Sequence, residues 1–242
     1  MMRFPARITA KLARVRIAQI LNSAPAHSLI HYVNPADVLH PGSEAPVSCE
    51  KMHGVLANPS PVIWIGGREP LLHAGIGHFV RAIAQRGHSV FLETDGTLLR
   101  RRVHEFQPLP QLFLTVRLNS PQAPECALAV EGLRVARLSG FFSIIHSPVG
   151  EDSDLAQFAA LRAFIAENDV DGWLITAGST DEATVRKAAK ARALIRSSFW
   201  RQFSDYVEEG LLAKTQGREL HASAAVATNP QTETHEEGMG MA

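Results

Sequence analysis

Six short apolar runs divide the first three quarters of the chain, and each is rich in Val, Ile, Phe or Trp. Most of these runs are continuous rather than alternating, a pattern typical of strands buried on both faces of a parallel sheet. The predicted strands are Ser28–Val33, Pro61–Ile65, Ser89–Leu92, Leu112–Leu118, Phe141–His146 and Gly172–Thr176.

Helical patterns lie between these runs. One apolar stripe falls within residues 73–86, another within 155–165, and Glu182–Ile195 is rich in the helix formers Ala, Lys and Arg. Strands that alternate with helices predict successive right-handed βαβ units. The spacing fits an open doubly wound sheet and a closed or partly closed barrel equally well. Glycines at several strand ends favour loops that line a shared mouth.

The two ends of the chain differ from the middle. Residues 7–21 predict a basic amphipathic helix that either packs on the outside or bottom of the domain or lies weakly on a membrane surface. A last helix follows Phe199, and small polar residues from 217 onward predict a disordered tail. We therefore expect a helix over 1–22, a β/α domain over 23–216 and a tail over 217–242.

The composition of the chain limits the partners and the cellular compartment that we expect for the protein. Lys+Arg and Asp+Glu number 24 each in a chain of 242 residues, so net charge indicates no nucleic-acid partner. Two cysteines cannot form a disulfide framework, and no apolar run reaches the roughly 20 residues of a membrane span. We expect a cytoplasmic protein whose membrane contact, if any, is peripheral and made by residues 7–21.

Two turns at predicted strand ends are candidates for ligand binding. Gly66-Gly67-Arg68-Glu69-Pro70 follows the second strand, and Glu93-Thr94-Asp95-Gly96 follows the third. Glycine lets the backbone approach a ligand closely, and free backbone groups there can pair with a charged amine or carboxylate.

Over residues 28–180 these turns and the strand order resemble the radical SAM superfamily, whose second strand ends in Gly-Gly-Glu-Pro and third in Thr-Asn-Gly. The resemblance implies an α/β fold with a partial (β/α)6 TIM-like barrel, here with an added N-terminal amphipathic helix and C-terminal helix. It also implies the cofactors S-adenosylmethionine and a [4Fe–4S] cluster. The cofactor-binding residues that it implies are Gly66, Gly67, Glu69, Pro70, Thr94, Asp95 and Gly96.

Two departures from the family pattern change the functional expectation. The family's cluster loop after strand one carries Cys-x3-Cys-x2-Cys, whereas residues 34–43 contain no cysteine. Arg68 also stands where the family's loop meets the methionine amine, and a cation there opposes amine binding. We therefore expect no cluster, weak or no binding of S-adenosylmethionine, and a pseudoenzyme that binds an unidentified small molecule or protein.

Three other interpretations stay open at this point. The chain could be an active radical SAM enzyme with atypical cluster ligands, and Arg86-Gly87-His88 is also similar to a motif of nucleotide-sugar glycosyltransferases. His40, Cys49 and His53 have ligand types suited to zinc, but we expect no metal site. No catalytic residue is assigned, although several polar residues are expected to gather at the mouth: Glu69, Glu93, Asp95, Arg117 and His146.

Overall fold

A computed structural model describes residues 5–20, 29–38 and 49–227. Helices and strands alternate along the middle of the chain. The helices are α1 Ala6–Ile20, α2 Pro35–Val38, α3 Cys49–Leu56, α4 Ile76–Gln85, α5 Leu99–Arg102, α6 Ala127–Leu138, α7 Leu155–Glu167, α8 Glu182–Arg192 and α9 Ser198–Ala227. The strands are β1 Ile30–Val33, β2 Val62–Ile65, β3 Ser89–Thr94, β4 Leu112–Arg117, β5 Phe142–Val149 and β6 Gly172–Ala177.

The six strands form one parallel sheet in the order β1-β2-β3-β4-β5-β6. Sequential order without a reversal excludes the doubly wound alternative, in which the order changes direction at the ligand crevice. The sheet curls into a half-barrel flanked by helices. The partial (β/α)6 barrel expected from the sequence is therefore confirmed as a fold, and all six predicted strands are present.

Some element boundaries differ from the predicted ones. β3 continues to Thr94, so Glu93 belongs to the strand and not to the turn after it. The side chain of Glu93 is nevertheless buried, because partners inside the half-barrel bind its carboxylate. α9 continues to Ala227 instead of ending near residue 217, since its last turns are rich in good helix formers. The rest of the predicted tail, 228–242, lies outside the described residues.

Aromatic rings form a row across the concave face of the sheet. Trp64 stacks on Phe91 with ring centroids 5.4 Å apart, and Phe91 stacks on Phe113 at 4.6 Å. The ring centroids of Phe203 on α9 and of Phe91 are 5.0 Å apart, which places α9 against this concave face. The row forms the floor above which the polar residues of the half-barrel lie.

Helix α9 also covers both edges of the sheet. On the β6 side, Ser204 Oγ accepts from the backbone N–H of Ile175 at 3.1 Å, and Glu208 accepts from that of Ala177. On the β1 side, Tyr32 Oη donates to the carbonyl of Val207 at 2.7 Å. An uncovered strand edge leaves backbone groups unpaired, and at the β6 edge the side chains of α9 supply partners for two of them.

Helix α1 packs at the amino-terminal ends of the strands. Ile8 and Leu12 are buried in the common core, and the amine of Lys11 donates to the carbonyl of Gly87, which precedes β3. Leu12 also lies beside Phe199 and Phe203 of α9. The centre of the apolar face of α1 is thus covered by the domain itself. Within the described part of the chain, no helix is long and apolar enough to cross a membrane.

Candidate functional site at the mouth of the half-barrel

A cavity of about 350 Å³ opens at the carboxyl ends of the strands. Its wall includes aromatic, charged and small residues from all six strands or their following loops and from α9. The lining residues with polar or aromatic side chains are Tyr32, Trp64, Glu93, Arg117, His146, Thr176, Ser179 and Thr180. This volume lies within the usual range for small-molecule sites, and the carboxyl end is where parallel α/β folds bind ligands.

Four of these side chains form one hydrogen-bonded chain. Trp64 Nε1 donates to Glu93 Oε2 at 3.1 Å, and the other carboxylate oxygen lies 2.6 Å from His146 Nδ1. The second nitrogen of the ring, His146 Nε2, lies 2.9 Å from Thr176 Oγ1. Glu93, His146 and Thr176 are all buried, so these contacts form in a low-dielectric setting where each is strengthened.

The charge on Glu93 is favoured despite its burial. Burial alone would raise the pKa of the Glu93 carboxyl, but the hydrogen bond and charge of His146, the charge of Arg117 and the Trp64 indole together hold that pKa below its ordinary value. An ionised carboxylate only accepts hydrogen bonds, so His146 Nδ1 carries the hydrogen. When the imidazole is neutral, its Nε2 is the acceptor for the hydroxyl hydrogen of Thr176.

The contact between Glu93 and His146 crosses an intervening strand. Glu93 is on β3 and His146 on β5, and flat neighbouring strands lie about 4.8 Å apart, which would separate the two strands by roughly 10 Å. Curling of the sheet brings the two side chains together over β4. Thr115, the register partner of Glu93 on β4, is short and fully buried, and its hydroxyl has no partner among the described residues.

The first glycine of the Gly66-Gly67 turn is required by the site beneath it. A Cβ on Gly66 would lie 2.4 Å from Glu93 Oε2 and 3.0 Å from Trp64 Nε1. Gly67 has a φ of +109°, which disfavours other residues. Both glycines line the cavity. The sequence attributed them to close approach by a ligand, whereas Gly66 makes room first for the protein's own Trp64–Glu93 pair.

Glu69 joins the two turns that the sequence singled out. Its Oε1 accepts from Thr94 Oγ1 at 2.7 Å and from the Leu71 N–H at 3.0 Å, and its Oε2 accepts from the Asp95 N–H at 2.8 Å. Burial raises the pKa of the Glu69 carboxyl, although these hydrogen bonds oppose the rise. Both oxygens are therefore used in holding the β2 and β3 loops together.

The remaining residues of the implied cofactor set lie away from the cavity wall. Pro70 opens a short 3-10 turn, and the side chain of Asp95 accepts from Thr97. Gly96 has a φ of +83°, and a Cβ there would lie 2.9 Å from Ala129 of α6. Arg68 is exposed and is not among the described residues that line the cavity. Thr94, Asp95 and Gly96 thus shape the loop beside the cavity.

Of the five polar residues expected at the mouth, the structure brings Glu93, Arg117 and His146 to the cavity. Glu69 and Asp95 form the neighbouring loop contact instead. Trp64, Thr176 and Tyr32 belong to the site but were not predicted. The sequence places each of these three residues within a predicted strand. It does not show which side chains point into the half-barrel, because continuous apolar strands have no alternation that would distinguish the two faces.

The chain's donor atoms do not fit the cluster loop of the resembled family. That loop needs three thiolates, and the sequence has two cysteines, of which Cys126 lies in the turn before α6. No group of three or more His, Cys, Asp or Glu side chains suited to a metal occurs in the described residues. His53 is exposed on α3, whereas His40 and the rest of 39–48 lie outside the described residues.

Comparisons with known proteins identify the fold. The chain matches the crystal structure of Streptococcus suis SuiB bound to S-adenosylmethionine with a TM-score of 0.53 and 14% identity, over 78% of this chain and 49% of SuiB. SuiB bound to its precursor peptide SuiA matches with a TM-score of 0.51 and 12% identity, over 72% of this chain and 45% of SuiB. The two proteins share a half-barrel fold.

This likeness is structural. No family model and no curated protein matches the sequence. The chain spans about half the length of SuiB. At this level of identity the comparison establishes the architecture and the position of the mouth, while the chemistry must be argued from the side chains that line the cavity.

Proposed function

We propose that the chain binds a small zwitterionic ligand of the S-adenosylmethionine class at the mouth of the half-barrel and does so without radical chemistry. The observation that carries this proposal is the pairing of opposite charges in one cavity. Glu93 supplies a buried carboxylate, and Arg117 supplies an exposed guanidinium that lies close enough to lower the pKa of Glu93.

The cation side of such a ligand has suitable surroundings. Tyr32 and Trp64 line the cavity next to Glu93, and aromatic rings together with a carboxylate stabilise sulfonium and ammonium groups. Their ring centroids are 6.1 Å apart. Trp64 is held in place by its hydrogen bond to Glu93, so the carboxylate and the indole form one preorganised unit.

The anion side is served by Arg117. Within the described residues its guanidinium makes no hydrogen bond or ion pair, so its donors are available to a ligand carboxylate. Arginine binds carboxylates through two parallel hydrogen bonds, which fix orientation as well as charge. S-Adenosylmethionine would supply an electrophilic methyl group when bound, a property that needs no iron–sulfur cluster.

Arg68 opposes this binding less than its place in the sequence suggested. Its exposed position outside the cavity lining separates it from the Glu93–Arg117 pair. The non-radical part of the proposal rests on the donor set, because three thiolates cannot come from this sequence. The glycosyltransferase alternative gains no support, since the His88 ring contacts the carbonyls of Ser60 and Leu56 at the end of the sheet opposite the cavity.

Calorimetric titration with S-adenosylmethionine and with S-adenosylhomocysteine, whose sulfur is a neutral thioether in place of the sulfonium, tests this function. We expect the sulfonium to bind more tightly, Glu93→Gln to remove that preference and Arg117→Ala to weaken both ligands. Arg101→Ala, at an exposed arginine of α5, is the matched control and should change neither. Absence of binding, or equal loss in the control, would refute the proposal.

Iron counting after anaerobic reconstitution with iron and sulfide tests the non-radical part separately. We expect iron well below the amount needed for one cluster per chain. A stoichiometric cluster would overturn this part while leaving the calorimetric result for Glu93 and Arg117 unaffected.

A further inference from the structure

The mouth cavity contains a second arrangement that ligand recognition does not require. Glu93, His146 and Thr176 lie in a line in which each side chain fixes the hydrogen of the next. The contact distances are 2.6 Å from Glu93 Oε1 to His146 Nδ1 and 2.9 Å from His146 Nε2 to Thr176 Oγ1. A base oriented by a carboxylate and bonded to a hydroxyl is the geometric signature of acid–base catalysis.

We infer that Glu93, His146 and Thr176 form a proton relay that removes a proton from a ligand O–H or N–H group bound in the cavity. His146 is the base, Glu93 orients it, and Thr176 is the hydroxyl through which the proton passes. This activity goes beyond ligand binding and shares the cavity of the proposed function without depending on S-adenosylmethionine.

The proton balance of this step is complete within the site. The ligand's O–H donates to Thr176 Oγ1 and releases its proton there while the hydroxyl hydrogen of Thr176 moves to His146 Nε2. The products are a ligand anion, an unchanged threonine and an imidazolium. Glu93 stabilises that imidazolium through the Nδ1 hydrogen bond, and Arg117 offers a positive charge near the new anion.

Several contacts hold the relay in one arrangement. Trp64 binds the carboxylate oxygen of Glu93 that His146 leaves free, so the carboxylate cannot rotate away. The rings of Trp64 and His146 meet edge to face in a T-shaped contact with centroids 5.5 Å apart. Three neighbouring groups therefore fix the plane of the imidazole. A histidine with a merely structural role needs partners for its nitrogens but does not need to meet a hydroxyl that lines a ligand-sized cavity.

The ligand class follows from the surrounding charges. A substrate would carry a weakly acidic hydroxyl or amine for the relay, together with an apolar or aromatic body for Tyr32 and Trp64. Its conjugate base would be stabilised by Arg117. Substituted phenols have these properties, and nitrophenols report their own ionisation by a visible absorption band.

The test uses the full chain and p-nitrophenol at a pH below the value at which the free probe ionises. Saturating protein is expected to produce the nitrophenolate band in the wild type and in Thr176→Ser, which keeps the hydroxyl. His146→Gln and Thr176→Val should reduce the band to that of the free probe, and Glu93→Gln should lower it. His78→Gln, at an exposed histidine of α4, should leave it unchanged.

Two results would overturn the relay. One is a wild-type protein that produces no nitrophenolate beyond that of the free probe at any probe concentration. The other is a folded Thr176→Val variant with an undiminished band, because a structural threonine would behave in that way. If His146→Gln fails to fold, the Thr176→Ser and Thr176→Val pair still decides the question. Nitrogen NMR of the histidine rings adds an independent readout, in which neutral His146 must carry its hydrogen on Nδ1.

Failure of the relay is distinguishable from failure of the proposed function. Loss of S-adenosylmethionine binding in calorimetry leaves the nitrophenolate band and the Nδ1 tautomer intact if the relay is correct. Conversely, suppose that Thr176→Val binds S-adenosylmethionine normally and that its nitrophenolate band is as strong as in the wild type. This result would refute the relay and leave the binding proposal intact.

Discussion

Trp64 and Glu93 lie on adjacent strands and are joined by a 3.1 Å hydrogen bond directly beneath Gly66. This contact links the aromatic floor of the half-barrel to the polar site above it. It also connects the most distinctive motif of the sequence, the Gly66-Gly67 turn, to residues that the motif itself does not contain.

Replacing Gly66 with alanine should destabilise the protein by about 1–3 kcal/mol, the usual cost of overpacking a filled site. The added Cβ would lie 2.4 Å from the carboxylate of Glu93. Urea unfolding measures the change. Gly54→Ala is the matched control, since nothing lies within 4 Å of its Cβ position and it sits inside helix α3. An unchanged midpoint for Gly66→Ala would contradict the close packing at this turn.

Removing the Thr94 hydroxyl should weaken the contact between the two loops that Glu69 joins. Thr94→Val removes one of the three donors to Glu69 and leaves the Gly96 N–H without this acceptor, at a cost of about 1–3 kcal/mol. Thr94→Ser retains the hydroxyl and is expected to recover most of the loss in the free energy of unfolding. Equal destabilisation by both variants would contradict this prediction, because Thr94→Ser keeps the hydroxyl that makes the hydrogen bonds.

Helix α9 protects the edge of β6 through side chains, so Ser204→Ala should expose that edge. The variant leaves the backbone N–H of Ile175 without its acceptor. We expect faster amide hydrogen exchange at Ile175 and a loss of about 1–3 kcal/mol in stability. Gln202→Ala, on an exposed position of the same helix, is the control. Unchanged exchange at Ile175 would show that α9 does not protect this edge.

Stability should depend on pH through Glu93. Its pKa in the folded protein lies below the ordinary value of 4.5, so the unfolded chain takes up the proton first as pH falls. The contribution of Glu93 is therefore fully present above that value and is lost as pH decreases through the folded-state pKa. Denaturant unfolding across this range should give a steeper loss of stability for the wild type than for Glu93→Gln. Parallel curves would contradict the depressed pKa.

Two isoleucines of helix α1 should respond differently to truncation. Ile8 is 1% exposed and packs in the core, whereas Ile17 is 58% exposed. Ile8→Ala should cost about 2–5 kcal/mol and Ile17→Ala within about 0.5 kcal/mol. Vesicle flotation of the same variants with anionic lipid tests the membrane alternative. Binding that requires Ile8 rather than Ile17 would indicate that α1 leaves the domain to reach the lipid.

Much of the architecture follows from local patterns in the sequence. Continuous apolar runs such as Val62–Ile65 must be buried on both faces, so they predict parallel strands, and the helical stripe around Phe79 predicts a covering helix. The position of the mouth follows from the turns after these strands. The end of α9 at Ala227 lies ten residues beyond the start of the predicted tail, because the change in composition at 217 does not mark where the helix ends.

The sequence alone predicted the six strands, the turns that follow them at the mouth and the shortage of thiolates for a cluster. Tertiary structure decided which polar residues meet. Glu93 and His146 are 53 residues apart and on strands that are not neighbours, and they touch only because the sheet curls over the short side chain of Thr115. Sheet curvature is a collective result of packing across six strands and α9, and no local pattern encodes it; the concave face, and with it the site, emerges only when the chain is folded.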